Sequence, residues 1–184
     1  MKKIGISGIP GSGKTTLARA LASTCTGKNV ELVSEYARRY ISKHKSIDTI
    51  WEQIIVTNKQ IEWEDSIIGQ VDLMITDSPI YLGFLFAMDL VIFENQKDII
   101  AYNSLFKRLT GINNRYDIIF HLEPVLDPKV DGVRPELHFV EEWRKRSNST
   151  LLGLFNMFGQ KNVIVIRKNS LEERITSCLK VINV

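Results

Sequence analysis

The sequence predicts an α/β protein whose doubly wound, five-stranded parallel sheet carries helices on both faces. Five short apolar runs, each bounded by turn residues, are typical of buried parallel strands. Longer segments with helical periodicity separate them, and this alternation favours right-handed β-α-β crossovers. Composition agrees, since 44% of the 184 residues are apolar and the formal net charge is only +3. These values exclude a disordered chain.

The strands are predicted at residues 3–7, 30–34, 73–76, 117–122 and 163–167. Helices are predicted at residues 14–24, 35–45, 47–68, 80–109, 136–158 and 171–181. The long 80–109 segment is interpreted as two helices with a break near Glu94 and Asn95, because Asn95 can cap the second helix. No internal repeat, linker or low-complexity tract is visible, so we expect one domain over residues 1–184.

The number of cysteines and the hydropathy of the chain predict its cellular compartment. The sequence has two cysteines, Cys25 and Cys178, without metal or disulfide-framework spacing, which favours a reduced compartment. Glycine interrupts the amino terminus before an apolar run of signal-peptide length can form. The most apolar stretch, residues 79–93, contains Asp89 and is too short to span a membrane. We therefore expect a cytoplasmic protein with no membrane partner.

Charge is unevenly distributed along the chain. Residues 1–50 carry nine Lys/Arg against three Asp/Glu, a net +6, whereas residues 51–110 carry four against nine, a net −5. A basic amino-terminal portion suits an anionic ligand. It lacks the Arg/Lys runs with interleaved aromatic residues that mark a nucleic-acid surface, so small phosphates are favoured as ligands over nucleic acid.

The strongest motif follows the first predicted strand. Residues 8–15, GIPGSGKT, match the phosphate-loop pattern GxxxxGK[ST] and lead directly into a helical segment. Lys14 is expected to bridge the β- and γ-phosphates of ATP, and the Thr15 hydroxyl to ligate Mg²⁺. Backbone N–H groups and the helix amino terminus complete the anion site. The residues expected to bind ATP are Gly8, Pro10, Gly11, Ser12, Gly13, Lys14, Thr15 and Thr16.

Charged residues also follow the second predicted strand. Glu35 and Arg38 lie three residues apart and share one face of a helix. A kinase needs a carboxylate that positions or deprotonates the acceptor hydroxyl and a cation that stabilises the transferring phosphoryl group, and these residues fit both catalytic roles. The alternative is an exposed helical ion pair of Glu35 with Arg38 or Arg39, worth roughly a few tenths of a kcal/mol.

An acidic residue follows the third predicted strand. Asp77 occupies the position that holds Mg²⁺ through its waters in phosphate-loop proteins. The alternative is helix capping, with Asp77 or Ser78 ahead of Pro79 in the first helical turn. Both interpretations can hold together, with Asp77 at the metal and Ser78 as the cap.

Residues 123–146 are predicted to form a lid over the phosphates, because a small-molecule kinase must exclude water as an acceptor. Within this segment Arg134 can reach the transferring phosphoryl group as a catalytic residue, and Asp131 can orient it. The helix that follows carries i,i+4 pairs typical of a solvated face, although Arg144 and Arg146 are weaker candidates for stabilising the phosphoryl group.

Two further residues are weaker candidates for substrate contact. Gln60 and Trp63 lie in the helix predicted at residues 47–68. An amide and an indole can hydrogen-bond to and stack on a heteroaromatic substrate, although a tryptophan is more often part of the core.

With these motifs, the chain resembles a P-loop kinase family that includes the ribosylnicotinamide kinase domain of bifunctional NAD-biosynthesis regulators, and related AAA-type ATPase/kinase proteins. The resemblance covers nearly the whole chain. It rests on GIPGSGKTT, SEYARRYI, ITDSP, YDIIFHL and DGVR, which start at Gly8, Ser34, Ile75, Tyr116 and Asp131. It implies transfer of the γ-phosphoryl group of Mg-ATP to a hydroxyl of a nucleoside-like substrate such as nicotinamide riboside.

Other functions remain open at this level. A nucleoside monophosphate kinase would need additional arginines on the acceptor side, which Arg38 and Arg39 can supply. A nucleotide-dependent ATPase or switch acting through a partner would hydrolyse ATP slowly and without an acceptor. A polynucleotide 5′-kinase is disfavoured because a basic groove is missing.

Overall fold

Five parallel strands form one sheet in the computed structural model, which describes residues 1–25, 27–125, 132, 134–167 and 170–182. They are β1 (Lys2–Ser7), β2 (Val30–Val33), β3 (Leu73–Asp77), β4 (Ile118–Leu122) and β5 (Val163–Ile166). Their order is β2-β3-β1-β4-β5, and every neighbouring pair is parallel. β1 is therefore central, so the loop that follows it emerges between the ends of β3 and β4.

The helices connect the strands in the predicted alternation. They are α1 (Lys14–Thr24), α2 (Tyr36–His44), α3 (Ile50–Ser66), α4 (Tyr81–Leu90), α5 (Gln96–Gly111), α6 (Glu141–Met157) and α7 (Leu171–Ile182). The predicted break in residues 80–109 is confirmed. Asn95 caps α5, where its side chain accepts the N–H of Lys97 at 3.0 Å.

Two predicted helix boundaries are wrong. α3 begins at Ile50 instead of residue 47, because Thr49 and Glu52 form a reciprocal capping box that fixes the first turn. The helix predicted at residues 136–158 is interrupted: one 3-10 turn (Glu136–Phe139) ends at Val140, whose backbone is extended with ψ 134°, before α6 begins. β-Branched residues such as Val140 favour this extended conformation.

Helical layers cover both faces of the sheet. On one face α1 and α7 pack their apolar stripes against β-strand residues such as Ile6 and Phe120. On the other face α3, α4, α5 and α6 enclose a larger core, in which Phe158 stacks on Tyr81 at 5.4 Å between ring centroids and meets Phe84 edge-on at 5.3 Å. The predicted fold class is thus confirmed. In the described parts of the chain, no helix combines the length and apolar character needed to cross a bilayer.

The packing of α1 against the sheet can be tested by mutation. Leu21 is fully buried between α1 and the sheet, so we expect Leu21→Ala to lower the free energy of unfolding by about 2–5 kcal/mol through lost apolar contact and a residual cavity. Arg19→Ala, at an exposed position of the same helix, should change it by less than about 0.5 kcal/mol. Urea unfolding followed by circular dichroism measures both; equal effects would contradict this packing.

Candidate functional site

The predicted loop and the ends of two strands meet at the carboxyl edge of the sheet. In the register of the sheet Ile6 pairs with Asp77 on β3, and Ser7 pairs with His121 on β4. The Thr15 hydroxyl, in the first turn of α1, donates a hydrogen bond to Asp77 Oδ2 at 2.6 Å. The structure therefore brings together Thr15 and Asp77, which the sequence analysis assigned to one metal site.

Backbone geometry explains the glycines of the loop. Gly8 has φ +146°, and a Cβ there would approach Ser12 Oγ to 2.5 Å and the Leu122 carbonyl oxygen to 2.9 Å. Gly13, with φ +90°, directly precedes α1. The first N–H groups of a helix lack intrahelical acceptors, and the helix dipole is positive at this end. The turn is thus shaped to bind an anion such as phosphate.

Lys14 lies within the turn instead of extending into solvent. Its side chain is buried, and Nζ donates to the Ile9 carbonyl oxygen at 3.2 Å. Burial and the nearby Arg134 guanidinium lower the pKa of Lys14 to about 8. Phosphate oxygens are stronger partners for the ammonium than a carbonyl, so this contact is readily exchanged for a ligand. Thr16, also predicted to bind ATP, is exposed on α1.

Glu35 forms the centre of a buried ion-pair cluster. It directly precedes α2, yet its carboxylate makes no capping hydrogen bond and is free for other partners. Arg134 Nη2 donates to Glu35 Oε1 at 2.5 Å and to Oε2 at 2.6 Å, while Arg38 Nε donates to Oε2 at 3.2 Å. The structure thus brings together the predicted catalytic residues Glu35, Arg38 and Arg134.

The charge state of Glu35 follows from these partners. Burial alone would raise its pKa, but the charges of Arg134, Lys14 and Arg38 outweigh burial and lower it, so the carboxylate is ionised. The alternative of an exposed helical ion pair does not describe this buried group. Arg39, the other proposed partner, instead lies over the Trp63 ring at 5.4 Å.

The residues around Asp77 fit Mg²⁺. Asp77 Oδ1 is buried and has no hydrogen-bond partner among the described residues, while Oδ2 is held by Thr15. Burial raises the pKa of Asp77, and Lys14 opposes that shift. Mg²⁺ prefers hard oxygen ligands and binds in proteins through one or two carboxylates together with substrate phosphates. One open carboxylate oxygen beside a hydroxyl matches this donor set.

Ser78 does not cap the following helix as the sequence analysis allowed. Its backbone is left-handed, with φ +73°, and its buried hydroxyl makes no hydrogen bond with the described residues. α4 begins at Tyr81, so Ser78 lies too far ahead of the first helical turn.

A cavity of about 360 Å³ opens beside the Glu35 cluster, between α2, α3, α4 and the 3-10 turn. Glu35 and Arg134 form part of its wall. Phe86 and His138 also line it with ring centroids 5.3 Å apart, and polar groups such as Gln53 complete the lining. Its size and mixed lining are typical of a small-molecule site.

The two predicted substrate residues, Gln60 and Trp63, lie in different surroundings. Gln60 lines a smaller cavity of about 30 Å³ that also borders Glu35, and its Oε1 accepts the N–H of Tyr36 at 2.8 Å. Trp63 lines neither cavity; it packs edge-on against Tyr36 at 4.8 Å and joins α2 to α3. The geometry therefore gives Trp63 a packing role. Asp131, with residues 126–130 and 133 of the predicted lid, lies outside the described residues.

Two arginines contact the phosphate loop: Arg144, predicted only as a weaker candidate for stabilising the phosphoryl group, and Arg174, which was not predicted. Arg144 is buried on α6 and donates to the Pro10 carbonyl oxygen at 2.6 Å and to the Val125 carbonyl oxygen at 3.1 Å. Arg174, at the start of α7, donates to the Ser12 carbonyl oxygen at 2.9 Å. Guanidinium groups thus bind carbonyl groups of the loop and help to hold its conformation. The burial of Arg144 could have been predicted from its spacing, because Arg144 lies on the same side of α6 as the buried residues Ser147 and Leu151.

The strand order, the loop after β1 and the Thr15–Asp77 contact define a protein of the P-loop α/β class. The family model AAA_28, described as an AAA domain, matches residues 3–174. The chain therefore belongs to this AAA domain family. Comparison with curated proteins finds no match.

Solved structures share the fold. A NadR protein in complex with NR superposes with a TM-score of 0.80 at 21% identity, over 100% of this chain and 52% of that chain. Thymidylate kinase from Candida albicans gives 0.70 at 14% identity, over 99% and 91% of the two chains. Deoxyadenosine kinase from M. mycoides with bound dATP gives 0.67 at 18% identity, over 100% of both. The chain thus spans about half the length of the NadR protein.

The lowered pKa of Lys14 predicts a pH dependence of nucleotide binding. Below pH 8 the ammonium is protonated and attracts phosphate; above it the cation is lost, so the affinity for the ATP analogue AMP-PNP should be about tenfold weaker at pH 9 than at pH 7. Isothermal titration calorimetry measures this change. In Lys14→Arg the guanidinium stays charged and the decrease should disappear. A flat profile for the wild-type protein would contradict the assigned role.

The Arg144 contact predicts a second effect on binding. Arg144→Gln removes the guanidinium from the Pro10 and Val125 carbonyls, and we expect AMP-PNP affinity to fall about tenfold, since unsatisfied buried acceptors cost about 1–3 kcal/mol. Arg146→Gln is the matched control, because Arg146 is exposed and lies 3.6 Å from Asp89. Equal affinities for the two variants would show that Arg144 does not maintain the loop.

Proposed function

We propose that this protein is a kinase that transfers the γ-phosphoryl group of ATP to a hydroxyl of a nucleoside-like acceptor, such as nicotinamide riboside, bound in the cavity beside Glu35. One observation carries the proposal. A buried, ionised carboxylate faces both the phosphate loop and a cavity of small-molecule size. An acceptor hydroxyl needs such a group, whereas hydrolysis of ATP by a switch protein requires no acceptor cavity.

On the nucleotide side, the loop of residues 8–15 holds the phosphates of ATP. Lys14 exchanges its contact with the Ile9 carbonyl for phosphate oxygens. Thr15 and Asp77 would hold Mg²⁺ beside those oxygens, where the ion would neutralise phosphate charge.

On the acceptor side, Glu35 orients the hydroxyl and receives its proton. Each carboxylate oxygen has two acceptor sites, so the bonds from Arg134 and Arg38 leave room for the substrate hydroxyl. The acceptor oxygen forms a bond to the γ-phosphorus while the bond to the bridging oxygen of ADP breaks. The low pKa of Glu35 is compatible with a loose transition state, in which the acceptor keeps its proton until late.

Arg134 and Arg38 provide the positive charge around the transferring group. Arg134 donates to Glu35, and its charge lowers the pKa of Lys14, which supports a role for this guanidinium on both sides of the transfer. Catalysis of phosphoryl transfer depends mainly on such positioning and charge stabilisation. Arg134 belongs to the segment proposed as the lid, so lid position and acceptor orientation are coupled.

The cavity favours an uncharged acceptor nucleoside. Asp48 and Asp89 line it together with Glu35, and Arg134 is already paired. Phe86 and His138 offer faces on which a heteroaromatic ring can stack. The NadR protein of similar fold was solved in complex with NR.

A nucleoside monophosphate is the second candidate acceptor. Lys45 lines the same cavity, and Arg38 donates to Glu35 in the cavity wall, so two cations are available on the acceptor side. The fold is also shared with thymidylate kinase from Candida albicans.

A screen of acceptor-dependent ADP release tests the proposal. We expect one class among nucleosides, nicotinamide riboside, nucleoside monophosphates and 5′-hydroxyl oligonucleotides to stimulate ADP release in the presence of Mg²⁺. Glu35→Gln should lower kcat by about 100-fold or more while leaving AMP-PNP affinity within about threefold. Glu31→Gln is the control, because Glu31 is an exposed glutamate on β2, the strand that precedes Glu35. Absence of stimulation by every acceptor would refute the kinase and favour the switch.

A further inference from the structure

A strained turn connects the end of β3 to α4. Ser78, directly after Asp77, has φ +73°, a left-handed conformation that residues with a Cβ rarely adopt. Such a conformation persists only where neighbouring contacts enforce it. Two backbone groups of the turn are held: the Ser78 N–H donates to the Ile6 carbonyl oxygen at 3.2 Å, and the Ile80 N–H donates to the Tyr116 hydroxyl at 3.0 Å.

The Tyr116 hydroxyl is itself fixed by a buried charge pair. Tyr116 is fully buried and donates to Glu64, whose two carboxylate oxygens lie 2.9 and 3.0 Å from the hydroxyl. Glu64 Oε2 in turn accepts Arg115 Nε at 2.6 Å. With its proton directed to the carboxylate, the hydroxyl presents a lone pair to the Ile80 N–H. This series of hydrogen bonds therefore ends at the strained turn; it runs from Arg115 through Glu64 and Tyr116 to the Ile80 N–H.

The same helix also holds the chain beside the acceptor carboxylate. Gln60 precedes Glu64 by one turn of α3, and its Oε1 accepts the N–H of Tyr36, the residue after Glu35. α3 is thus connected by hydrogen bonds to the backbone beside each of the two carboxylates of the site.

We propose that Tyr116 is a positioning residue for the metal carboxylate. By accepting the Ile80 N–H, its hydroxyl holds the Ser78 turn and keeps Asp77 directed toward Thr15 and the Mg²⁺ that accompanies the nucleotide. This inference rests on the proposed function for the identity of the ligand. Tyr116 touches neither phosphate nor acceptor in this role, because it acts through the backbone of the turn.

The expected defect is specific to the metal. In Tyr116→Phe the Ile80 N–H loses its acceptor, and the turn can relax to an ordinary conformation that moves Asp77 away from Thr15. The phosphate loop, built by β1 and α1, is unaffected. Binding of AMP-PNP without Mg²⁺ should therefore stay within twofold of the wild-type protein, whereas the gain in affinity on adding Mg²⁺ should fall at least fivefold.

Calorimetric titration with AMP-PNP, with and without Mg²⁺, measures both quantities without requiring turnover. Tyr81→Phe is the matched control: Tyr81 is an equally buried tyrosine in the same core, and its hydroxyl lies 3.4 Å from Gln160 Oε1 and does not accept the Ile80 N–H. It should retain the full Mg²⁺-dependent gain. An unchanged gain in Tyr116→Phe would overturn the inference.

A second variant separates positioning from stability. Glu64→Gln keeps an oxygen that accepts the Tyr116 proton but removes the charge paired with Arg115, so we expect a lower Tm with the Mg²⁺-dependent gain within twofold of wild type. If the Mg²⁺-dependent gain in AMP-PNP affinity instead decreases in step with Tm across all variants, Tyr116 is only structural and the inference is wrong. A wild-type protein that binds no nucleotide would refute the proposed function itself.

Discussion

The buried ion pair between Glu35 and Arg134 is the interaction on which the site depends. An unpaired carboxylate at this depth would become protonated, whereas the guanidinium keeps it ionised. Arg134 also lowers the pKa of Lys14, so one guanidinium acts on both Glu35 and the phosphate loop. A lone buried charge of either sign would be costly here. Glu35 and Arg134 therefore stabilise each other in the buried position.

Much of the architecture could be predicted because its signals are local. Each strand is a short apolar run, and the phosphate loop has a fixed residue spacing. Asn95 is a residue type that favours helix caps, which predicts the start of α5. Parallel strands place their carboxyl ends at one edge, so Thr15 and Asp77 could be assigned together despite lying 62 residues apart. The helix start at Ile50 and the interruption at Val140 were missed, since a capping box and one extended backbone residue outweigh apolar periodicity.

The remaining features of the site could not be predicted, because they depend on which polar residues face inward. Along α3, Gln53, Thr57, Gln60 and Glu64 recur at intervals of four and three residues and are all buried. The sequence shows this stripe, but not its partners Tyr116 and Arg115, which come from the start of β4. Trp63 was a weaker candidate for substrate contact, with a place in the core as the alternative, and it packs against Tyr36 of α2.

α2 differs from every other helix named here in having no buried residue along its nine positions. It nevertheless supplies Ala37 and Ile41 to the cavity wall, and Lys45 follows at its end. Substitutions at such positions disturb little packing, and their effects on folding are small. The cavity wall formed by this helix can therefore diverge in sequence while the phosphate loop and the core stay constant. In the proposed kinase, a change of acceptor preference through this wall would cost the fold little.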